Sequence, residues 1–236
     1  MKRLLLTAFE PFGGEGLNPS LETAHQIEDV TFPDGQVIVA RLPVDRYRAI
    51  ETALGLIDEQ QPDIVIMLGE AGGRYRINPE RVAINVDDFR IPDNAGNQPK
   101  DEPIIEGGPV GYFSTLPIRA IADRINKANI PAAISNSAGA HLCNRHYYSV
   151  MHAISIEGLS TKAGFIHVPY LHDQAINKYP DVPSLSRESI VEAVRLAVEV
   201  SLLSLLKPHG NNRTVTATTQ RKDKKADLSL KKRSLI

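Results

Sequence analysis

The chain of 236 residues contains a single cysteine, Cys143, and its aromatic content is only 6%. One cysteine excludes an intrachain disulfide and with it the disulfide-stapled secreted domain, so a reducing compartment, the cytoplasm, is the expected setting. It also excludes a Cys pair as a metal clamp, and with no His-x-x-x-His on a helical face, no metal is expected. No run approaches the roughly 18 consecutive apolar residues of a membrane span. The N-terminal apolar run, residues 4–9, follows Lys2 and Arg3 but stops at Glu10 and Pro11. That is too short for a signal-peptide core, and it reads as a first strand. Two glycine-rich loops, 9–14 and 69–74, fit neither G-x-G-x-x-G nor the Walker spacing, which leaves nucleotide binding with little support.

An excess of one charge is missing overall, since the formal net charge is −1, but the balance is uneven. Residues 207–236 hold nine Lys or Arg against Asp223 and Asp227, so residues 1–206 are net acidic. The 207–236 stretch has no hydrophobic face to offset the entropy of ordering it, and is expected to be a disordered basic tail behind a single domain, 1–206. Such a tail suits nucleic acid or an acidic surface. A solvated extension is the plainer expectation, with neither nucleic acid nor membrane as partner.

What is present is an alternation of short apolar runs and amphipathic stretches. Residues 4–9, 37–42, 64–68, 132–135 and 164–168 read as strands, and 19–29, 45–59, 116–128 and 141–154 as helices. This pattern implies an α/β domain with a largely parallel sheet, and the nearly continuous Val, Ile and Leu of several strands implies burial on both faces. Residues 186–206 read as a last helix with Ser186 as N-cap, stopped by Pro208 and Gly210. Between 70 and 115 the pattern breaks into Gly, Pro, Asn and Asp, with short strand-like pieces such as 81–86. Irregular polar chain beside strand ends is where a ligand site is sought.

Residues 135–144, Ser-Asn-Ser-Ala-Gly-Ala-His-Leu-Cys-Asn, carry a strand through small residues into a helix, placing Cys143 in the first helical turn. The unpaired amides and positive dipole end there are expected to lower the thiol pKa and to hold an oxyanion. A thiol nucleophile needs a base, and His167 stands at a strand end before Pro169, facing the crevice outside the sheet. His141, His146, His152 and His172 read as surface residues. A carboxylate must orient the base; Glu80, Asp87, Asp88 and Asp93 are candidates, and spacing does not choose among them. Phe9 and Phe12 are placed to line an apolar pocket.

Taken in order, these segments resemble the pyroglutamyl-peptidase I, or pyrrolidone-carboxylate peptidase, family of cysteine peptidases. The likeness rests on Thr-Ala-Phe-Glu-Pro-Phe-Gly-Gly (7–14) with Asn18-Pro-Ser, Gly-Glu-Ala-Gly-Gly-Arg (69–74) and Glu-Arg-Val-Ala-Ile-Asn (80–85). Arg-Ile-Pro-Asp-Asn-Ala-Gly-Asn-Gln-Pro (90–99), the cysteine segment 135–144 and Gly-Phe-Ile-His-Val-Pro-Tyr-Leu (164–171) complete it. The resemblance implies a three-layer α/β/α sandwich around a mixed, largely parallel twisted sheet, no cofactor, and hydrolysis of the amide after an N-terminal pyroglutamyl residue. By motif position Cys143 is the nucleophile, His167 its base and Glu80 the group orienting that base. Phe9 and Phe12 become the pocket walls, with Asn18, Ile91 and Leu142 at its edges and Arg90 near the reacting carbonyl. A homo-oligomer, often a tetramer, is likewise implied.

Two residues depart from the family pattern. Glu70 stands where bacterial members usually have glutamine, so a group that can only accept replaces one that also donates; the expectation is that its backbone, not its side chain, meets the substrate ring. Arg145 is more basic than expected and bears on the leaving peptide. Two competing readings are a nucleoside phosphorylase-like enzyme using the 69–74 loop for phosphate, and an inactive binding protein that recruits nucleic acid through its tail. The first leaves Cys143 without a role, and the second is disfavoured by the intact Cys143, His167 and Glu80.

Overall fold

The computed structural model describes residues 1–176, 178 and 180–206. The expectations for 207–236, including the stop at Pro208 and Gly210, fall outside the described residues. In chain order the elements are β1 (Lys2–Phe9), α1 (Pro19–Glu28), β2 (Gly35–Leu42), α2 (Arg48–Gln60), β3 (Ile64–Glu70), β4 (Asn78–Pro79), β5 (Val82–Ile84) and β6 (Gly111–Phe113). Then follow α3 (Ile118–Lys127), α4 (Leu142–Glu157), β7 (Lys162–Val168), β8 (Tyr170–Leu171), α5 (His172–Ala175), β9 (Ser184–Leu185) and α6 (Arg187–Ser204).

Five strands form one sheet in the order β2-β1-β3-β7-β4, parallel except for β4, which runs antiparallel to β7. The side chains of each central strand alternate between two cores. Leu4, Leu6, Ile64, Ile66, Leu68, Ile166 and Val168 meet the helices α1, α3 and α6. Leu5, Phe9, Val65, Met67, Ala163 and Phe165 meet α2 and α4. The result is the expected three-layer sandwich, and each fully buried Leu or Ile of the strands contributes roughly 1.5–3 kcal/mol of transfer free energy. Helix starts follow local chemistry: the Asn18 side chain accepts from Ser20 N at the head of α1, and Ser186 does the same for Ser189 N at α6.

Residues 132–135 differ from the strand reading. They lie extended but join the sheet only through isolated bridges, Ile77 with Ala132 and Glu80 with Ser135. Pro131, Ala133 and Ser135 exchange backbone bonds with Ile77, Pro79 and Arg81, while the Asn126 side chain takes the remaining N–H and carbonyl of Ala132 at 2.9 Å and 3.0 Å. The segment therefore edges the 77–81 stretch rather than adding a full strand.

Candidate active site

Strand parity places the two central candidates on one side of the sheet. Because Phe165 faces α4 while Ile166 and Val168 face the opposite layer, His167 also faces α4. Its register partner on β3 is Gly69. Cys143, in the first turn of α4, drops its sulfur onto that glycine. A Cβ at Gly69 would stand 2.9 Å from Cys143 Sγ and 2.7 Å from Phe165 Cζ, too close for either. The missing side chain at position 69 is thus the space the thiol occupies, beside His167.

Glu80 reaches the same point from the sheet edge. After β4 pairs with β7, Glu80 N–H donates to the Phe165 carbonyl at 2.8 Å, and the fully buried Glu80 carboxylate accepts from His167 Nδ1 at 2.7 Å through Oε1. Burial alone would raise the Glu80 pKa, but His167, then Ser135 and Arg74, bring it below the ordinary carboxylate value. Burial holds the His167 pKa below that of free histidine, against the opposite pull of Glu80. With Nδ1–H donating to an ionised carboxylate, Nε2 is left as the basic nitrogen.

The thiol departs from expectation. Burial, reinforced by the charges of Glu70 and Glu80, pushes the Cys143 pKa up to about 12, with Arg74 pulling the other way. The burial of the site and its two carboxylates thus outweigh the helix end. The helix start itself is open. His141, the N-cap residue, makes no side-chain cap bond, because its ring stacks on Phe89 at 4.1 Å and its Nε2 bonds the Ile91 carbonyl at 3.0 Å. The first-turn amides therefore remain available to an anion.

A pocket beside the thiol is lined by Phe9, Phe12, Asn18, Val44, Glu70, His141, Leu142 and Cys143, with a free volume of about 20 Å³. Phe9, Phe12, Asn18, Glu70 and Leu142 are thus brought together as expected. Ile91 stands just outside, its Cδ1 against the position a Gly13 side chain would take. Arg90 is exposed and does not line the pocket. Asn18 is committed to structure, capping α1 and donating to the Glu10 carbonyl at 3.1 Å. The Glu70 side chain is held at Oε2 by Gln174 Nε2 at 2.9 Å, and burial raises its pKa to about 6.

Several readings need correction. Arg145 does not face a leaving peptide; it is 4% exposed and bonds Asp87 at 2.5 Å and the Arg46 carbonyl at 2.8 Å. Asp87, one of the four candidate carboxylates, does not meet His167 but is fully buried between Arg145 and Arg46. Asp93 organises its own loop, accepting from Arg46, Ala95 and Asn97. His146 is fully buried, not at the surface, and pairs with Thr7 Oγ1 at 3.0 Å. His141 and His152 are half-buried, and only His172 of that group is exposed.

Three residues that sequence reasoning passed over shape the site. Asn144, fully buried, bonds the Ile84 N–H and the carbonyls of Ile84 and Val86, fastening the nucleophile turn to β5. Gln174 orients Glu70, and Arg74 bonds Glu80. An Asn directly after the cysteine at a helix start was a signal for the first. The other two depend on distant chain segments meeting.

Comparison with known proteins bears on residues 2–203. The pyroglutamyl peptidase family model matches residues 2–203. A pyrrolidone-carboxylate peptidase of Vibrio vulnificus strain YJ016 is 49% identical over 196 residues, 83% of this chain and 91% of the relative. One from Yersinia pestis strain Pestoides F is 46% identical over 202 residues, 86% and 94% of the two chains. The crystal structure of pyroglutamyl peptidase I from Bacillus amyloliquefaciens superposes with a TM-score of 0.83 at 42% identity, covering 86% of this chain and 95% of that one. A mutant pyrrolidone carboxyl peptidase from the hyperthermophile Pyrococcus furiosus gives a TM-score of 0.83 at 44% identity, with 86% and 99% coverage. With its α/β/α fold, its half-buried Cys143 and buried His167 and Glu80, and matches of this extent, the chain belongs to the pyroglutamyl peptidase family of cysteine peptidases, which remove an N-terminal pyroglutamyl residue from peptides.

Proposed function

We propose that Cys143 is the nucleophile of this pyroglutamyl peptidase, that His167 is its general base and acid, and that Glu80 positions His167. The observation that carries the reading is the 2.7 Å bond between His167 Nδ1 and Glu80 Oε1, made on the sheet face where Cys143 meets Gly69. The proton moves as the bond forms. His167 Nε2 takes it from Sγ while the sulfur attacks the pyroglutamyl carbonyl, and Glu80 stabilises the imidazolium. The first-turn amides of α4 hold the oxyanion, with Arg90 as the proposed outer cation. His167 then gives the proton to the departing amine, and water hydrolyses the thioester.

Selectivity follows from the pocket. A neutral lactam can lie between Phe9 and Phe12, whereas a free glutamate would bring an ammonium and a carboxylate into apolar surroundings at a cost of several kcal/mol. A free volume of about 20 Å³ holds about one water molecule, so the ring enters by parting the walls, and half-buried Phe12 is the wall with room to move. Asn18, Ile91 and Leu142 frame the edges, and the Glu70 side chain stays with Gln174 while its backbone meets the ring. A cytoplasmic location and a homo-oligomer, a tetramer by family resemblance, belong to the same proposal, as does a 1–206 catalytic domain with 207–236 as an appended tail.

Release of a fluorescent amine from pyroglutamyl-aminomethylcoumarin, under reducing conditions, tests the reading. Wild-type protein should turn over and Cys143→Ala should not. Turnover that survives in Cys143→Ala would exclude the nucleophile.

A further inference from the structure

Arg74 leaves the β3 loop where Gly73, at φ 85°, turns the chain in a conformation that suits glycine. Its side chain comes back across the site. Nη1 donates to Glu80 Oε1 at 2.6 Å, the same oxygen that accepts from His167 Nδ1, and Nη2 donates to the Ser137 carbonyl at 3.2 Å. Ser137 lies on the approach to α4, and Arg81 pins the same stretch by bonding Asn136 Oδ1 at 2.7 Å. One guanidinium therefore touches both the carboxylate behind the base and the loop in front of the nucleophile.

We infer that Arg74 is a positioning residue that holds Glu80 turned to His167 and clamps the loop from which the Cys143 helix starts. The inference rests on the proposed roles of His167 and Glu80. Because Arg74 shares Oε1 with the imidazole, it draws off part of the negative charge that would otherwise favour an imidazolium. The charged groups that act on His167 are Glu80 and Arg74, and those that act on Cys143 are Glu70, Glu80 and Arg74. Around Glu80 they are His167, Arg74 and the Tyr147 phenol, with the Ser135 hydroxyl beside them. Of these, Arg74 is the one cation that pulls the His167 pKa down. Without it the base should protonate at higher pH.

The experiment is the pH profile of kcat/KM on pyroglutamyl-aminomethylcoumarin for wild type, Arg74→Gln, Arg74→Lys and His167→Ala, each as the full chain and checked by thermal melting. Arg74→Gln should lower kcat on the order of tenfold, as loss of a group that supports general-base catalysis does, and move the acid limb to higher pH. KM should change little. Arg74→Lys keeps the charge but offers no fork to Ser137, so its acid limb should stay near that of wild type while part of the kcat loss remains. An acid limb in Arg74→Gln identical to wild type, or a loss carried by KM alone, would overturn the inference. If Arg74→Gln does not fold, an upward shift of the limb in Arg74→Lys to the same extent as a charge loss predicts would equally overturn it. Activity retained by His167→Ala would defeat the base assignment itself, which separates the two failures.

Discussion

Two carboxylates, Glu80 and Asp87, are fully buried seven residues apart, and each meets arginine. They differ in what else they touch. Glu80 divides one oxygen between Arg74 and His167, a group able to gain and lose a proton beside a thiol. Asp87 lies between the guanidinium groups of Arg145 and Arg46, and burial pushes its pKa up against their pull. The first arrangement can move a proton. The second can only join the start of α2, the 87–102 loop and α4. A buried acid with an arginine is thus no sign of chemistry until a titratable partner and a nucleophile stand next to it.

The contrast sharpens most at Glu80 itself. Glu80→Gln should cut kcat/KM by on the order of 10²–10⁴-fold, because an amide can favour the wrong tautomer of His167 and does not stabilise its cation. The fold should survive, as circular dichroism would show; wild-type turnover would break the comparison. Arg145→Met is the mirror case, removing one partner of buried Asp87 and costing roughly 3–5 kcal/mol of stability in denaturant titrations. The folded fraction should cleave at close to the wild-type rate, and a specific loss of kcat would place the second cluster in the mechanism after all.

The two buried histidines extend the comparison. His146 bonds Thr7 and no carboxylate, and burial lowers its pKa to about 3. Its folded value lies below that of an unfolded histidine, so the unfolded chain binds the extra proton as pH falls. Stability should therefore decline from about pH 6.5 toward pH 3 with a slope of up to roughly 1.4 kcal/mol per pH unit from this group. Urea midpoints measured across that range in His146→Gln should show a shallower decline; an unaltered slope would mean the proton goes elsewhere. The smallest effect is expected at Glu70. Glu70→Gln removes one of the charges that raise the thiol pKa, so alkylation of Cys143 should quicken severalfold at pH 8 while KM stays close to wild type. A large drop in KM would show the side chain facing the substrate ring.

Much of this was legible in the chain. Periodic apolar runs at 4–9, 64–68 and 164–168 announce buried parallel strands, because burial on both faces leaves a continuous signal. Ser186 announced the last helix through its capping chemistry. The choice of Glu80 over Asp87 came only from motif resemblance, since burial and partners arise from contacts between segments dozens of residues apart. The setting of the thiol divides the same way: a helix start is local and readable, whereas burial beside Glu70 and Glu80 is not. Residues 132–135 are extended and bond the 77–81 stretch, while the Asn126 side chain occupies the other side of Ala132, a contact invisible to periodicity.

Gly69 seats the Cys143 sulfur on the middle of the sheet. The sulfur rests on the central strand pair β3 and β7, which opens only when the domain opens, so its placement is as durable as the fold. In a denaturant series activity should persist up to the global transition and vanish with it, making this peptidase a reporter of its own cooperativity.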